Sequence, residues 1–321
     1  MKKLITFLLV LSMALGLGAC GGETVPAETT VTTAATEPDR GPSSPILYRV
    51  TDQEGHVSYL LGAVHMGTEE MYPLPSYVMD AYEASDILAV ECEGPDTPQE
   101  EQQMWQCGQL SDGVQIQDLL SPETYQAAKR ILEETDSYDP AFEQCKPIVW
   151  QLTIEELIVR KSEADTALGV DNHMMELARQ DGTPIYEIEP VQEHYRYMGD
   201  LSMELQCLLL ENTVASYRDP YVTRSKGYLC ELWAQGNEPY LSTIIATDLE
   251  QVEDEQERAL YQEYQDVIMA QRDDNMTRYA MEALASGETV FICVGLAHVI
   301  GEGAMVDQLT QAGYTVERVG A

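Results

Sequence analysis

The sequence has few basic residues: 18 lysines and arginines stand against 55 aspartates and glutamates, a formal net charge of −37. Nucleic acid and anionic membrane surfaces bind proteins through positive charge, so both are poor partners for this chain. Divalent cations, in contrast, are attracted. Most of the carboxylates are expected to form a solvated acidic surface, so the charge excludes partners without identifying one.

Several motifs of well-known enzyme classes are missing. The chain has no Gly-x-Ser-x-Gly, which argues against a serine hydrolase, and no phosphate loop or dinucleotide fingerprint. It also has no Cys-x-x-Cys, which argues against a zinc ribbon or a thioredoxin-like site. Cys92 and Cys293 lie in apolar, strand-like runs and are expected to be small buried hydrophobes. Disulfides among Cys107, Cys145, Cys207 and Cys230 are allowed in an oxidising compartment.

Only one long apolar run occurs, at the N-terminus, where Leu4 to Leu17 follows two lysines. It has the length of a signal peptide and is too short to span a bilayer. The string Leu17-Gly18-Ala19-Cys20 resembles a lipobox, which predicts a signal peptide over 1–19 and a lipidated Cys20. The alternative is an ordinary signal peptide with an incidental cysteine. We therefore expect an extracytoplasmic protein, anchored to the cell membrane by acyl chains on Cys20.

Residues 21–45 are rich in Thr, Ala, Glu and Pro and contain no aromatic residue. Such a segment cannot bury enough surface to offset its ordering entropy, so it is predicted to be a flexible linker. The remainder, 46–321, has the length of one large domain.

Strand patterns flank a long helical middle. Ile46–Thr51 and Val57–Leu61 read as a hairpin, and further strands are predicted at 86–92, 183–189, 289–294 and 314–319. Helical patterns dominate from Ser121 to Asn172 and from Gln192 to Ala285. We predict an α/β fold with a mixed central sheet, built from N- and C-terminal strands, and a large helical insertion.

Two segments at opposite ends of the domain have the same pattern. Gly62-Ala-Val-His65 and Gly295-Leu-Ala-His298 each follow an apolar strand. Glycine at a strand's exit lets the chain turn tightly, so that the following histidine can point back over the sheet edge. One such motif is weak support for a site, but two in matching contexts predict that His65 and His298 share one.

Carboxylates occupy equivalent positions at two other predicted strand ends. Glu91 and Glu93 end one strand, and Glu187 and Glu189 end another. Acidic groups at the ends of apolar strands require compensation by a metal, a cation or a proton. Two imidazoles with one or two carboxylates suit zinc, manganese, iron or cobalt. Each glutamate has a plainer interpretation as a solvated strand end, which applies more to Glu93 and Glu187.

These motifs resemble the TraB/GumN/Tiki family, whose members carry two Gly-x-x-His motifs with a glutamate between them. Further matches are Gly169-Val-Asp171, the Ile188-Glu189 pair and Arg272. The resemblance covers about residues 46–319 and implies a fold similar to erythromycin esterases and ChaN-type haem-uptake lipoproteins. Asp273 departs from the asparagine that many relatives have after this arginine, and His194 departs from a glutamine.

The resemblance implies a metal-dependent hydrolase, because Tiki proteins are described as membrane-anchored metallopeptidases. Carried over, His65, Glu91, Glu189 and His298 would be ligands of zinc, manganese or cobalt, and the substrate would be a peptide or another small molecule. Glu91 or a histidine would serve as the base, and Arg272 would stabilise an oxyanion or bind a substrate carboxylate.

Two alternatives stay open: a metal-free, esterase-like hydrolase, and a non-catalytic lipoprotein that binds a peptide or haem. Of the other three histidines, His56 is expected in the hairpin turn and His173 on an exposed helix start, both outside the site. His194, five residues after Glu189, could approach the site, but a place on a helix surface is favoured. Asp171 is expected to cap its helix.

Overall fold

The computed structural model describes residues 43–246 and 249–320 of the chain. The predicted signal peptide, Cys20 and nearly all of the predicted linker lie outside these residues. Within them, no helix is long and apolar enough to cross a membrane.

One six-stranded mixed sheet organises the described residues. Its strands follow the order β4-β3-β5-β2-β1-β6. Their bounds are β1 Leu47–Thr51, β2 Val57–Ala63, β3 Ile87–Val90, β4 Ile185–Glu187, β5 Val290–Gly295 and β6 Thr315–Val319. The predicted α/β class and mixed sheet are therefore confirmed, with strands from the two chain ends interleaved.

The hairpin at the start of the domain pairs β1 with β2 antiparallel, with Leu47 opposite Leu61. β2, β5, β3 and β4 are neighbours that all run parallel. β5 lies near the centre of the sheet and is buried along its whole length. Burial on both faces explains why its sequence is an uninterrupted apolar run rather than an alternating one.

Helices cover the sheet and form the insertion between its halves. Up to β4 they are α1 Ser76–Glu83, α2 Pro98–Cys107, α3 Pro122–Glu134, α4 Pro147–Val159 and α5 Val170–Asp181. After β4 they are α6 Val191–Gly199, α7 Met203–Ser216, α8 Pro220–Gln235, α9 Glu238–Ile245, α10 Glu255–Tyr264, α11 Gln271–Ser286, α12 Leu296–Val299 and α13 Met305–Gln311. A π-helical segment, Gln265–Ala270, joins α10 to α11.

The local sequence signals explain several helix ends. The side chain of Ser121 accepts a hydrogen bond from the Thr124 backbone, and Pro122 stands at the first helical position. Gly182 ends α5 in the left-handed conformation at φ 81°. After β5 two short helices follow: α12 ends at Val299, and α13 begins only at Met305.

The apolar side chains form two main clusters. The larger packs both faces of the sheet against α1, α5, α8, α11 and α13. The second lies within the insertion, around Trp150 of α4, whose indole donates to the Phe142 carbonyl at 2.8 Å. The cysteines in the described residues are all free, including the four for which pairing was allowed.

Candidate functional site

The carboxyl ends of four parallel strands place the candidate residues at one edge of the sheet. Ala63 at the end of β2 pairs with Gly295 at the end of β5, so His65 and His298 follow neighbouring strands. On the other side of β5, Val90 pairs with Cys293, which brings Glu91 to the same edge. The two Gly-x-x-His motifs therefore lie next to each other at this edge.

Each motif's glycine makes room for the other part of the site. A Cβ on Gly62 would lie 2.4 Å from Leu296 Cδ1, a side chain of the second motif. A Cβ on Gly295 would lie 3.0 Å from Glu91 Oε1 and 3.1 Å from His65 Nε2. Both motifs thus need glycine for close packing across the strands. The expected tight turn is not the reason, since Gly62 lies within β2 and Gly295 has an ordinary φ of −51°.

His65 is fixed through one ring nitrogen and open at the other. Its Nδ1 lies 2.9 Å from Asp171 Oδ2, and its Nε2 faces Glu91 Oε1 at 3.9 Å. Since an ionised carboxylate only accepts hydrogen bonds, Nδ1 carries the proton that is donated to Asp171. Asp171 is the second residue of α5, and its predicted role as a helix cap is wrong: no side-chain cap bond is formed, and it orients His65 instead.

Arg272 lies at the centre of the site, with its side chain only 3% exposed. Its Nη2 donates to Glu91 Oε2 at 2.6 Å and to Glu189 Oε2 at 3.0 Å, and its Nε donates to Glu189 Oε1 at 2.8 Å. Its Nη1 lies 3.1 Å from His298 Nε2. One guanidinium therefore joins both carboxylates and the second histidine.

The second histidine is completely buried and held from both sides. Because a guanidinium can only donate, His298 Nε2 accepts from Arg272, and its Nδ1 donates to Asp273 Oδ1 at 2.6 Å. Asp273 therefore makes a direct contact with His298, the histidine of the second motif.

His194 also belongs to the site, so its predicted place on a helix surface is wrong. The side chain is 7% exposed, and Nδ1 lies 2.6 Å from Glu189 Oε2. It shares a face of α6 with the buried Val191, Tyr195 and Met198. That apolar spacing in the sequence was the signal that would have placed the ring inward.

Burial and charge set the protonation of the reacting groups. Burial alone would lower the pKa of His65, but the Asp171 and Glu91 carboxylates outweigh it and raise that pKa to about 9. Burial would raise the pKa of Glu91, yet Arg272 and the histidines hold it well below its ordinary value. The pKa of Glu189 is lowered in the same way against burial, mainly by Arg272. Burial raises the pKa of Asp273. The site thus stabilises glutamate anions and a positive charge at His65.

A cleft of about 670 Å³ gives access to this network, with His65, Glu91, Asp171, His194 and Arg272 in its lining. His298 is not part of the lining and lies behind Arg272.

Two further acidic residues were proposed with less weight, and both are held by other contacts. Glu93, at the cleft, accepts from Arg179 at 2.8 Å, and Glu187 accepts from the Glu93 backbone at 2.7 Å. Glu93 lines the cleft, and neither glutamate joins the Arg272 network.

Two sets of groups in the described residues have the composition and proximity of a metal site. Glu91, Glu189 and His194 each offer a ligand atom within 4.8 Å of the others, and so do Asp52, Glu54 and His56 in the hairpin turn. In the buried set, Arg272 already bonds both carboxylates. Two of the four ligands predicted from the sequence, Glu189 and His298, thus bind the guanidinium of Arg272. The other two, His65 and Glu91, face each other at the cleft through Nε2 and Oε1.

Comparison with known proteins agrees with the motifs. A sequence profile of the TraB/PrgY/gumN family matches residues 46–318. The uncharacterized protein YbaP of Shigella flexneri is 24% identical over 261 residues, which cover 78% of this chain and 87% of that protein. YbaP of Escherichia coli K12 is 24% identical over 260 residues, with the same coverage. No solved structure matches significantly.

Proposed function

The chain belongs to the TraB/PrgY/gumN family, and from that premise we propose that it is a metal-dependent hydrolase of peptides or other small carbonyl substrates. The observation that carries this proposal is the pairing of His65 Nε2 with Glu91 Oε1, 3.9 Å apart at the cleft. Both groups are held from behind: His65 by Asp171 at 2.9 Å and Glu91 by Arg272 at 2.6 Å. Such hydrogen bonds fix the orientation of side chains that bind a metal or transfer a proton.

The residues fit a divalent cation at His65 and Glu91. The network contains four carboxylates, of Glu91, Glu189, Asp171 and Asp273, against the single guanidinium of Arg272. The space between His65 Nε2 and Glu91 Oε1 is kept open by Gly295, since a Cβ there would lie about equally close to both atoms. Zinc, manganese or cobalt held there would polarise a substrate carbonyl and lower the pKa of water.

The chain's own residues divide the remaining tasks. Glu91, whose pKa is held low, stays anionic and is a better ligand than base. Asp171 fixes the His65 ring so that its Nε2 faces the cleft. Arg272 lines the cleft and is positioned to stabilise negative charge that develops on a substrate oxygen. Glu189 accepts from Nε and Nη2 of the guanidinium and holds it in place, and His194 in turn contacts Glu189.

A metal-free hydrolase is the second candidate, favoured by Arg272 occupying the space between Glu91 and Glu189. Here the neutral imidazole of His65, oriented by Asp171, would take a proton from water at Nε2 and return it to the leaving group. Because the pKa of His65 is about 9, this route would be fastest at alkaline pH, where the neutral ring predominates. The two candidates share all named residues and differ in whether activity requires a metal.

Metal analysis of the chain from residue 21 onward, purified without chelators or a histidine tag, separates them. About one transition-metal ion per chain, lost in His65→Ala and retained in His56→Ala, is the expected result. His56→Ala is the matched control because it removes the histidine of the other candidate metal cluster. An ion lost only in His56→Ala would place the metal in the hairpin turn. The metal-free route would be established if the protein binds no metal after incubation with zinc, manganese and cobalt and still hydrolyses its substrate in the presence of a chelator.

We also propose that the protein acts outside the cytoplasm, attached to the lipid bilayer through Cys20. The support is the lipobox-like string that ends at Cys20 behind an apolar run of signal-peptide length. Labelling cells with an alkyne fatty acid should modify the wild-type protein and Cys107→Ser, but not Cys20→Ser. Labelling that persists in Cys20→Ser would contradict the anchor.

A further inference from the structure

Next to the cleft lies a second depression with an apolar lining. It has about 370 Å³ of open space and is walled by Met104, Trp105, Cys107 and Gly108 near the end of α2, by Ile148, Val149 and Leu152 of α4, and by Tyr195, Met198 and Gly199 of α6. We call it the apolar pocket.

The apolar pocket and the cleft share a wall. Tyr195 lines both of them, on the pocket side with Met198 and on the cleft side with its neighbour His194. Tyr195 also packs in one small cluster with Met104, Val191 and the half-buried Cys92, which itself lines the cleft. A substrate seated in the cleft therefore has an apolar surface directly beside it.

Chain topology ties this pocket to the candidate catalytic residues. Glu91 leads through the loop 92–97 into α2, and Glu189 leads through Pro190 into α6. Two of the three pocket walls thus start at the two carboxylates that bind Arg272. Close helix packing keeps these walls in place: a Cβ on Gly199 would lie 2.5 Å from the Cys107 carbonyl oxygen, and one on Gly108 would lie 2.6 Å from Val149 Cγ2.

We infer that the apolar pocket is a specificity subsite that accepts an apolar side chain or short acyl group of the substrate, next to the bond that is hydrolysed. The inference rests on the proposed hydrolase function and adds the substrate class to it. A polar cleft that carries the chemistry, beside an apolar pocket without charged groups, suits a molecule with a hydrophobic residue adjoining its amide or ester. An acidic or basic group would lose its hydration there without gaining a partner.

The test combines binding with cleavage. Binding is measured by the fluorescence of N-phenyl-1-naphthylamine, a neutral apolar probe, with the chain from residue 21 onward. Cleavage is measured by mass spectrometry on a peptide library, scored for the residues beside the cut bond. We expect the probe to bind and to be displaced by N-acetyl-leucinamide better than by N-acetyl-aspartamide. We also expect at least about a tenfold preference for leucine or phenylalanine over aspartate at one position.

Two variants and a control assign these effects to the pocket. Leu152→Trp fills it and should weaken probe binding at least about tenfold and remove the preference, whereas Thr153→Trp, on the same helix but outside the lining, should change neither. Trp105→Ala widens the pocket and should shift the preference towards larger aromatic residues, which keeps the test informative if Leu152→Trp does not fold.

The outcomes separate this inference from the proposed function. Probe binding that is unchanged in Leu152→Trp, or cleavage without apolar preference in the wild type, would overturn the subsite. Wild-type protein that binds the probe in the pocket but cleaves nothing would retain an apolar ligand site and overturn the hydrolase.

Discussion

Replacement of Arg272 by methionine tests the central interaction of the site. Methionine approximates the length of the side chain but carries neither charge nor donors. The change leaves Glu91 and Glu189, whose side chains are 9% and 2% exposed, without the guanidinium that bonds both. Breaking a buried ion pair by removing one partner costs about 3–5 kcal/mol, because a charge stays buried without compensation. We expect the free energy of unfolding at pH 7 to fall by that amount.

The loss should depend on pH with a defined sign. In the wild type the pKa of Glu91 is lowered on folding, so its contribution to stability is present above the unfolded value of about 4.3 and is lost as the pH falls through the folded value. Without Arg272, burial instead raises the pKa of these carboxyls, and the folded variant takes up protons as the pH falls from 7. The difference between wild type and variant should therefore shrink between pH 7 and pH 5.

Urea unfolding followed by circular dichroism at pH 7 and pH 5 measures both effects. Arg179→Met is the matched control, since it removes the same group from an ion pair with Glu93 in which the arginine side chain is 46% exposed. Exposed pairs contribute about 0–1 kcal/mol. The double variant Arg272→Met/Glu189→Gln should recover part of the loss. A cost below 1 kcal/mol, or one that does not change with pH, would refute the charge network described for this site.

Three further predictions concern other contacts. Asp171→Asn should move the pKa of His65 down from about 9 towards its ordinary value, as measured by an NMR titration of the imidazole. The raised pKa stabilises the fold below about pH 6.5, and this contribution is lost as the pH rises through 9, so the variant should show less of it. A pKa still near 9 would show that Asp171 does not cause the shift. Gly295→Ala places a Cβ 3.1 Å from His65 Nε2 and should cost about 1–3 kcal/mol in urea unfolding and reduce hydrolysis, so a variant with wild-type stability and rate would contradict the close packing. Lys226→Met breaks the buried 3.1 Å ion pair with Glu155 and should cost about 3–5 kcal/mol, partly recovered by adding Glu155→Gln; equal stabilities of the single and double variants would argue against that pair.

The sequence predicts the sheet and the meeting of the two motifs because both depend on local patterns. Apolar runs that end in glycine mark β2 and β5, and the rule that parallel strands align their carboxyl ends brings His65 and His298 together. The helix breaks near Asp219 and Gly236 are likewise readable, from an N-cap and a left-handed glycine.

The partners of the histidines are less accessible from sequence. Asp171 looks like a helix-start residue, and only the packing of α5 against the end of β2 turns it towards His65. Arg272 and Asp273 are adjacent, so regular helix geometry places their side chains about 100° apart, yet both are buried. The assembled fold decides which residues contact Arg272 and Asp273 at the start of α11. No local sequence pattern encodes these contacts.

The central position of β5 has a consequence for how the protein is made. Tyr59 pairs with Phe291, so the strand that separates β2 from β3 comes from close to the end of the chain. Until it emerges, both neighbours present unpaired apolar edges, which are prone to aggregation. Such long-range pairing also forms slowly, because the entropy cost of closing the long loop arises before the strand contacts that offset it have formed. A chain that lacks β5 therefore has neither a complete sheet nor a second motif, and the site forms only after β5 has been synthesised.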